Sequence, residues 1–208
     1  MAAYPGAEPF LPDRLSLSAM RVAVRSCRGC PLYKPATQAV FGDGMKRASI
    51  MLVGEQPGNE EDLAGKPFVG PAGRVLRSAL DRAGIPLAEI YITNVVKHFK
   101  FLTKGWRRWH KKPDDREVEA CRPWVLAELS VVRPAVLVCL GATSTKALLG
   151  PDVRVTRDRG KDIPSTHAPH ALATVHPSAI LRMPTEADRK SGVEALVRDL
   201  RLAARLGT

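Results

Sequence analysis

The residues best suited to chemistry lie in one loop. Gly54-Glu55-Gln56-Pro57-Gly58, followed by Lys66-Pro67-Phe68-Val69-Gly70-Pro71-Ala72-Gly73, presents a carboxylate, an amide and an aromatic ring from a backbone that glycine and proline restrict. An amide side chain offers a donor and an acceptor together, and a ring offers a flat apolar face. Together they suit a small, flat, polar ligand. Cys27-Arg28-Gly29-Cys30-Pro31 is a second candidate, a tight turn that can aim two thiolates at one metal ion or cluster. A third is the stretch from Lys97 to Lys112, which carries Lys97, Lys100, Lys104, Arg107, Arg108, Lys111 and Lys112 and no acid. Phe99, Phe101, Trp106 and Trp109 interleave with these cations. Basic groups suit phosphates and aromatic faces suit unstacked bases. A charge run alone reads as a solvated loop; two tryptophans beside His98 and His110 favour nucleic acid.

These residues need elements to hold them. Ile50-Met51-Leu52-Val53 reads as a buried strand leading into the glycine-rich loop, and Val75, Leu76, Ala79, Leu80 and Ala83 recur at helical spacing after it, with Gly84 as a stop. Ile90 to Val96 predicts a second strand, with Asn94 near its carboxyl end. Pro113-Asp114-Asp115 is a helix-start signal, and Val118, Cys121, Val125 and Leu129 share one face of a helix interrupted or restarted at Pro123. Ala135 to Leu140 predicts a third strand and Ala171 to Val175 a fourth, ending at His176-Pro177-Ser178. Val193, Leu196, Val197, Leu200 and Ala204 mark a closing amphipathic helix. Alternating strands and helices imply a three-layer α/β/α sandwich around a four-stranded, mainly parallel sheet. The segments Glu55–Phe68, Asn94–His110 and His176–Arg182 then meet at one sheet edge, where α/β proteins bind ligands.

Composition sets the frame. With 208 residues, 45% hydrophobic and 25% charged, the chain is long enough for one globular domain, 1–208, with a loose terminus over 1–12. A net charge of +11 points toward a polyanionic partner. The longest apolar run, Ala135 to Ala142, is too short to span a bilayer, and the first residues lack the pattern of an export signal, so no membrane association and a cytoplasmic location are expected. Four cysteines in such a chain read as metal, cluster or buried thiols rather than as disulfides.

The motifs Gly54-Glu55-Gln56-Pro57-Gly58, Gly65 to Gly73, Tyr91-Ile92-Thr93-Asn94 and His176-Pro177-Ser178, in this order and with the upstream Cys-x-x-Cys and Ala120-Cys121-Arg122-Pro123, resemble the iron-sulfur uracil-DNA glycosylases. More narrowly, Lys104 to His110 looks like the Arg-rich, histidine-ending loop of the UdgX type. The resemblance implies that Phe68 stacks on a flipped uracil, that Asn94 reads its edge, and that His176 stabilises the departing uracil anion. It places Gly54, Glu55 and Gln56 around base and sugar, Ser178 at the substrate, and Arg107 and Arg108 on phosphates. It also implies that His110 attacks C1′ and leaves the protein covalently joined to the abasic sugar. Cys27, Cys30, Cys121 and His98 would hold a 4Fe-4S cluster within a cluster-flanking segment, 98–121, into which a basic loop, 104–113, is inserted. Thiolate chemistry alone leaves zinc equally open. Cys139 is the alternative fourth ligand, although its mid-strand position reads as an inert buried thiol. The expected partner is uracil-containing DNA, preferably single-stranded, with free uracil as product and a monomer as the working form. A conventional hydrolytic glycosylase with turnover and a non-catalytic iron-sulfur nucleic-acid binding module are the alternatives.

Overall fold

A computed structural model describes residues 4–207. The apolar segments Ile50–Gly54 (β2), Ile90–Asn94 (β3), Val136–Leu140 (β6) and His170–Thr174 (β7) form the parallel body of the sheet, in the order β3-β2-β6-β7. Asp43–Gly44 (β1) pairs antiparallel with β3, so the sheet has a fifth, two-residue edge strand that the apolar pattern could not announce. Phe101–Lys104 (β4) and Arg107–His110 (β5) form a separate antiparallel hairpin.

Helices cover both faces, as near-continuous apolar strands require. They are Leu17–Ala23 (α1), Asn59–Ala64 (α2), Pro71–Ala83 (α3), Asp115–Val132 (α4), Ala142–Leu149 (α5), Val155–Asp158 (α6), Pro177–Leu181 (α7) and Glu186–Leu206 (α8). Leu76 and Leu80 of α3 pack with Leu196 and Leu200 of α8 on one face, while Met20 of α1 packs with Trp124, Val125 and Leu129 of α4 on the other. No helix among the described residues is long and apolar enough to cross a membrane.

Three expectations are corrected. Of the loose terminus over 1–12, residues 1–3 lie outside the described residues; from Tyr4 onward the chain is held. Ala7 is fully buried, Gly6 N donates to Gly29 O at 3.1 Å, and Tyr4, Phe10 and Leu11 pack on the core. Nor does Pro123 interrupt its helix. α4 runs through it, capped by Asp114, whose side chain accepts from Arg116 N and Glu117 N. The inserted segment is no open loop: β4 and β5 pair in register from Phe101↔His110 to Lys104↔Arg107, and Gly105 takes the turn with φ 59°.

β3 lies on one side of β2 and β6 on the other. This reversal of strand order is the topological switch point, and the crevice outside the carboxyl ends of β2 and β6 is its consequence.

Candidate active site

Gly54 ends β2 opposite Asn94, its register partner at the end of β3. A Cβ on Gly54 would lie 2.3 Å from Asn94 Oδ1 and 2.7 Å from the Phe68 ring, so only glycine lets amide and ring converge there. Asn94 is 2% exposed, and its Oδ1 is buried without a hydrogen-bond partner. An orphaned buried acceptor costs about 1–3 kcal/mol, which a ligand N–H would relieve. Phe68 has φ 53°, a left-handed backbone that aromatic residues rarely adopt. Arg77 Nη1 holds it there by donating to Phe68 O at 2.8 Å, and a Cβ on Gly73 would come within 1.7 Å of the same oxygen.

The His176 ring lies 5.9 Å from that of Phe68, tilted by 33°. Its Nδ1 accepts from Ser178 N at 3.1 Å and faces Ser178 Oγ at 2.7 Å. A backbone N–H can only donate, so the ring proton belongs on Nε2. Burial, then Arg182, then His110 lower the His176 pKa to about 4. The imidazole is therefore neutral, with an Nε2–H to offer a developing anion. Ser178, expected at the substrate, lines the same cleft as His176 and contacts it, and Arg182 Nη1 donates to its hydroxyl at 3.3 Å.

His110, at the end of β5, is half exposed. Its Nε2 stands 3.5 Å from Glu55 Oε1 and 2.9 Å from Gln56 Nε2. Backbone partners set the orientation of the Gln56 amide: Oε1 accepts from Lys100 N at 3.0 Å, and Nε2 donates to Lys100 O at 3.3 Å and Lys111 O at 3.0 Å. Gln56 therefore clamps the base of the hairpin and presents an N–H to His110, which favours a lone pair on the imidazole Nε2. Burial, opposed by Glu55 and reinforced by Arg182, holds His110 below the ordinary imidazole pKa. Glu55 is fixed from its other oxygen by the Thr143 hydroxyl.

Glu55, Gln56, His110, Thr143, His176 and Arg182 line one cleft of about 430 Å³. A hollow of about 650 Å³ beside α5 is larger, but His110 and His176, two histidines with lowered pKa, line the smaller one. Sequence reasoning gave Thr143 no role and Arg182 only a place at the end of the sheet-edge segment His176–Arg182, although both follow carboxyl ends of parallel strands. Arg107 is exposed, its guanidinium 4.6 Å from the centre of the Trp106 ring. Arg108, expected on phosphates, has a protein partner in this structure. It is turned inward, 2.6 Å from the fully buried carboxylate of Asp62, with Asn59 Oδ1 at 2.7 Å, because β5 alternation points it at the body of the protein.

Residues 41–201 match the family described as the uracil DNA glycosylase superfamily, a span that takes in every side chain of the cleft. The chain belongs to this superfamily. Among its relatives, the type-4 uracil-DNA glycosylase of Pyrobaculum aerophilum is 35% identical over 178 residues, 82% of this chain and 87% of that protein. The type-4 uracil-DNA glycosylase of Thermotoga maritima is 38% identical over 160 residues (76% and 80%), and that of Archaeoglobus fulgidus 34% identical over 168 residues (77% and 81%).

The cysteine turn lies upstream of the span that matches the uracil DNA glycosylase superfamily. Cys27, Cys30 and Cys121 are buried in one core cluster. Burial raises the Cys121 thiol, and Cys30 and Cys27 raise it further; burial likewise pushes Cys30 up to about 11. Cys27 thus lies near enough to raise both the Cys30 and the Cys121 thiol. Trp124 Nε1 donates to Cys27 Sγ at 3.2 Å and Lys97 N to Cys121 Sγ at 3.2 Å, contacts that would strengthen with thiolates. Such a donor set fits a thiolate-bound group. Cys139 belongs to the same core cluster but is raised by burial alone, with no contribution from the other thiols. His98 is buried and lowered to about 4 by burial, against the opposing charge of Asp62. Among the described residues, no three His, Cys, Asp or Glu side chains already form a metal-holding group.

Proposed function

We propose that this chain flips uracil out of DNA, preferably single-stranded DNA, cleaves its glycosidic bond and is captured on C1′ by His110. The observation that carries the reading is the cleft in which His110, Glu55 and His176 face one another. The superfamily match and the names of the type-4 relatives support uracil-DNA glycosylase activity. Asn94 suits uracil because its orphaned Oδ1 would accept the base's N–H beside the Phe68 ring.

The C1′–N1 bond breaks with its electron pair leaving on uracil, where Nε2–H of His176 stabilises the charge. Glu55 favours the cationic sugar. The Nε2 lone pair of His110 then bonds to C1′, the imidazolium so formed gives up its Nδ1 proton, and the uracil anion takes up a proton. Releasing Nε2 from Gln56 costs little, because the amide's two protons still have the carbonyls of Lys100 and Lys111. Cys27, Cys30 and Cys121, with His98 as fourth ligand, would hold a 4Fe-4S cluster. Its chemistry there is structural bracing of the cysteine turn, α4 and the start of the hairpin segment.

Incubation with uracil-containing single-stranded DNA is expected to give a protein–DNA adduct that survives SDS, and His110→Ala is expected to abolish it. Adduct formation by His110→Ala sinks this mechanism. Hydrolysis with turnover is the second reading, favoured by the solvent that reaches the half-exposed His110 in the free protein; free uracil exceeding one equivalent of protein would establish it.

A further inference from the structure

The two faces of the β4–β5 hairpin are unequally used. Alternation sends Phe101, Thr103, Arg108 and His110 to one face and Leu102, Lys104, Arg107 and Trp109 to the other. The first face is committed: Arg108 pairs with Asp62, its guanidinium lies 5.0 Å from the Phe101 ring, and His110 contacts Gln56. The second is open. Trp109 is 54% exposed, its cross-strand partner Leu102 48%, and Trp106 at the tip 85%. Large apolar side chains gathered on one exposed face mark an interaction surface more often than a solvated one.

Charge says what kind. Lys104 and Arg107 stand directly opposite each other across the strands, a like-charge pair that weakens a free hairpin and that a polyanion would relieve. The whole stretch from Lys97 to Lys112 contains no acid. Arg107 already stacks on Trp106, as it would in a cation–π sandwich with a base. Continuity with the cleft completes the case, because Trp109 immediately precedes His110 on the opposite side of the same strand.

We propose that the outward face of this hairpin binds the single-stranded DNA flanking the flipped nucleotide, Trp106 and Trp109 stacking on unpaired bases while Lys104 and Arg107 meet the phosphates. The proposal rests on the reading of the cleft as a DNA site and deepens it by naming the source of strand preference. Bases within a duplex are already stacked and offer no free face to these rings.

The test uses the full chain and uracil-free oligonucleotides, single-stranded and duplex, at one fixed salt concentration, with anisotropy of labelled DNA as the readout. Trp106→Ser is expected to lower single-strand affinity about tenfold, and Trp106→Ser with Trp109→Ser to lower it further, while duplex affinity changes less than about twofold. Lys104→Gln and Arg107→Gln should weaken both and shallow the salt dependence. Fluorescence of the buried Trp124 reports whether each variant is folded. Wild-type single-strand affinity in the double tryptophan variant overturns the proposal, as does an equal loss on both DNA forms. No bond is broken in this experiment, so its failure leaves the His110 chemistry untouched, and loss of adduct formation leaves this surface standing.

Discussion

At the scale of single residues, the proposed mechanism keeps two imidazoles neutral for opposite purposes. It has His176 donate through Nε2 and His110 present a lone pair there, and the first is fixed by Ser178 and the second favoured by Gln56. The His110 pKa lies below its ordinary value, chiefly through burial. A lowered pKa preserves the neutral form at lower pH. The adduct-forming rate should therefore hold steady as pH falls through about 6.5, the unperturbed histidine value, and decline only below it. Single-turnover rates between pH 4 and 8 check this; a decline centred at or above 6.5 contradicts the assigned state. Removing a positive neighbour reverses the effect, so Arg182→Ala should move the decline to higher pH. Gly54→Ala makes a steric test of the convergence of Asn94 and Phe68, since its methyl would displace the amide or the ring. Base release should fall at least about a hundredfold, in line with the sensitivity of catalysis to small misplacements, while DNA affinity measured on uracil-free strands stays unchanged.

The hairpin that carries His110 is positioned at the scale of elements, by an ion pair remote from the chemistry. Arg108 of β5 reaches Asp62 of α2, which also accepts from Thr37 N at 3.0 Å. Truncating Arg108 leaves the Asp62 carboxylate buried with only part of its partners. Arg108→Ala is expected to cost about 1–3 kcal/mol of stability and to shift the product ratio from adduct toward free uracil, because His110 loses its fixed approach. Thermal melting and gel analysis of the same reaction read both effects. Unchanged product ratio would separate the hairpin's anchoring from its chemistry. This is also where sequence ran short. The apolar strands β2, β3, β6 and β7 were legible to within two residues at each end, and with them the sheet edge bearing Glu55, Asn94 and His176. The hairpin was not, since its strands are basic on both faces and its Gly105-Trp106 turn is an uncommon signal. Arg108 was read as a phosphate ligand because a partner 46 positions away leaves no local trace. Thr143 follows the carboxyl end of β6 and was given no role, while Arg182 was placed at the sheet edge without one; the cleft shows what both face.

For the molecule as a whole, one buried ion pair ties the sheet to α4, the helix that carries Cys121. Lys97 and Glu128 are both fully buried and directly paired. Lys97 Nζ also donates to Thr93 Oγ1 at 2.8 Å and to Asn94 O at 2.7 Å, while Glu128 Oε1 accepts from Tyr91 OH at 2.9 Å and Gly42 N at 3.1 Å. The backbone N–H of the same lysine meets Cys121 Sγ. Lys97 thus touches the base-reading end of β3 through its side chain and the cysteine cluster through its backbone, and Glu128 anchors it from the helix that carries Cys121. Burying two charges is costly, and a well-packed apolar pair of similar volume is often no less stable. Stability alone does not explain the pair, and the Lys97 bond to the Asn94 carbonyl predicts a positioning role. Glu128→Ala strands the lysine and is expected to destabilise the fold by about 3–5 kcal/mol. The double replacement Lys97→Met with Glu128→Leu removes the stranded charge but leaves Tyr91 OH and Gly42 N without their acceptor, so it should recover only part of that loss, and excise uracil more slowly because nothing then fixes the strand end bearing Asn94. Calorimetry on both variants beside uracil-release rates decides the matter. A double variant that recovers stability and rate together would show the pair to be structural only, whereas recovery of stability without rate assigns it to positioning.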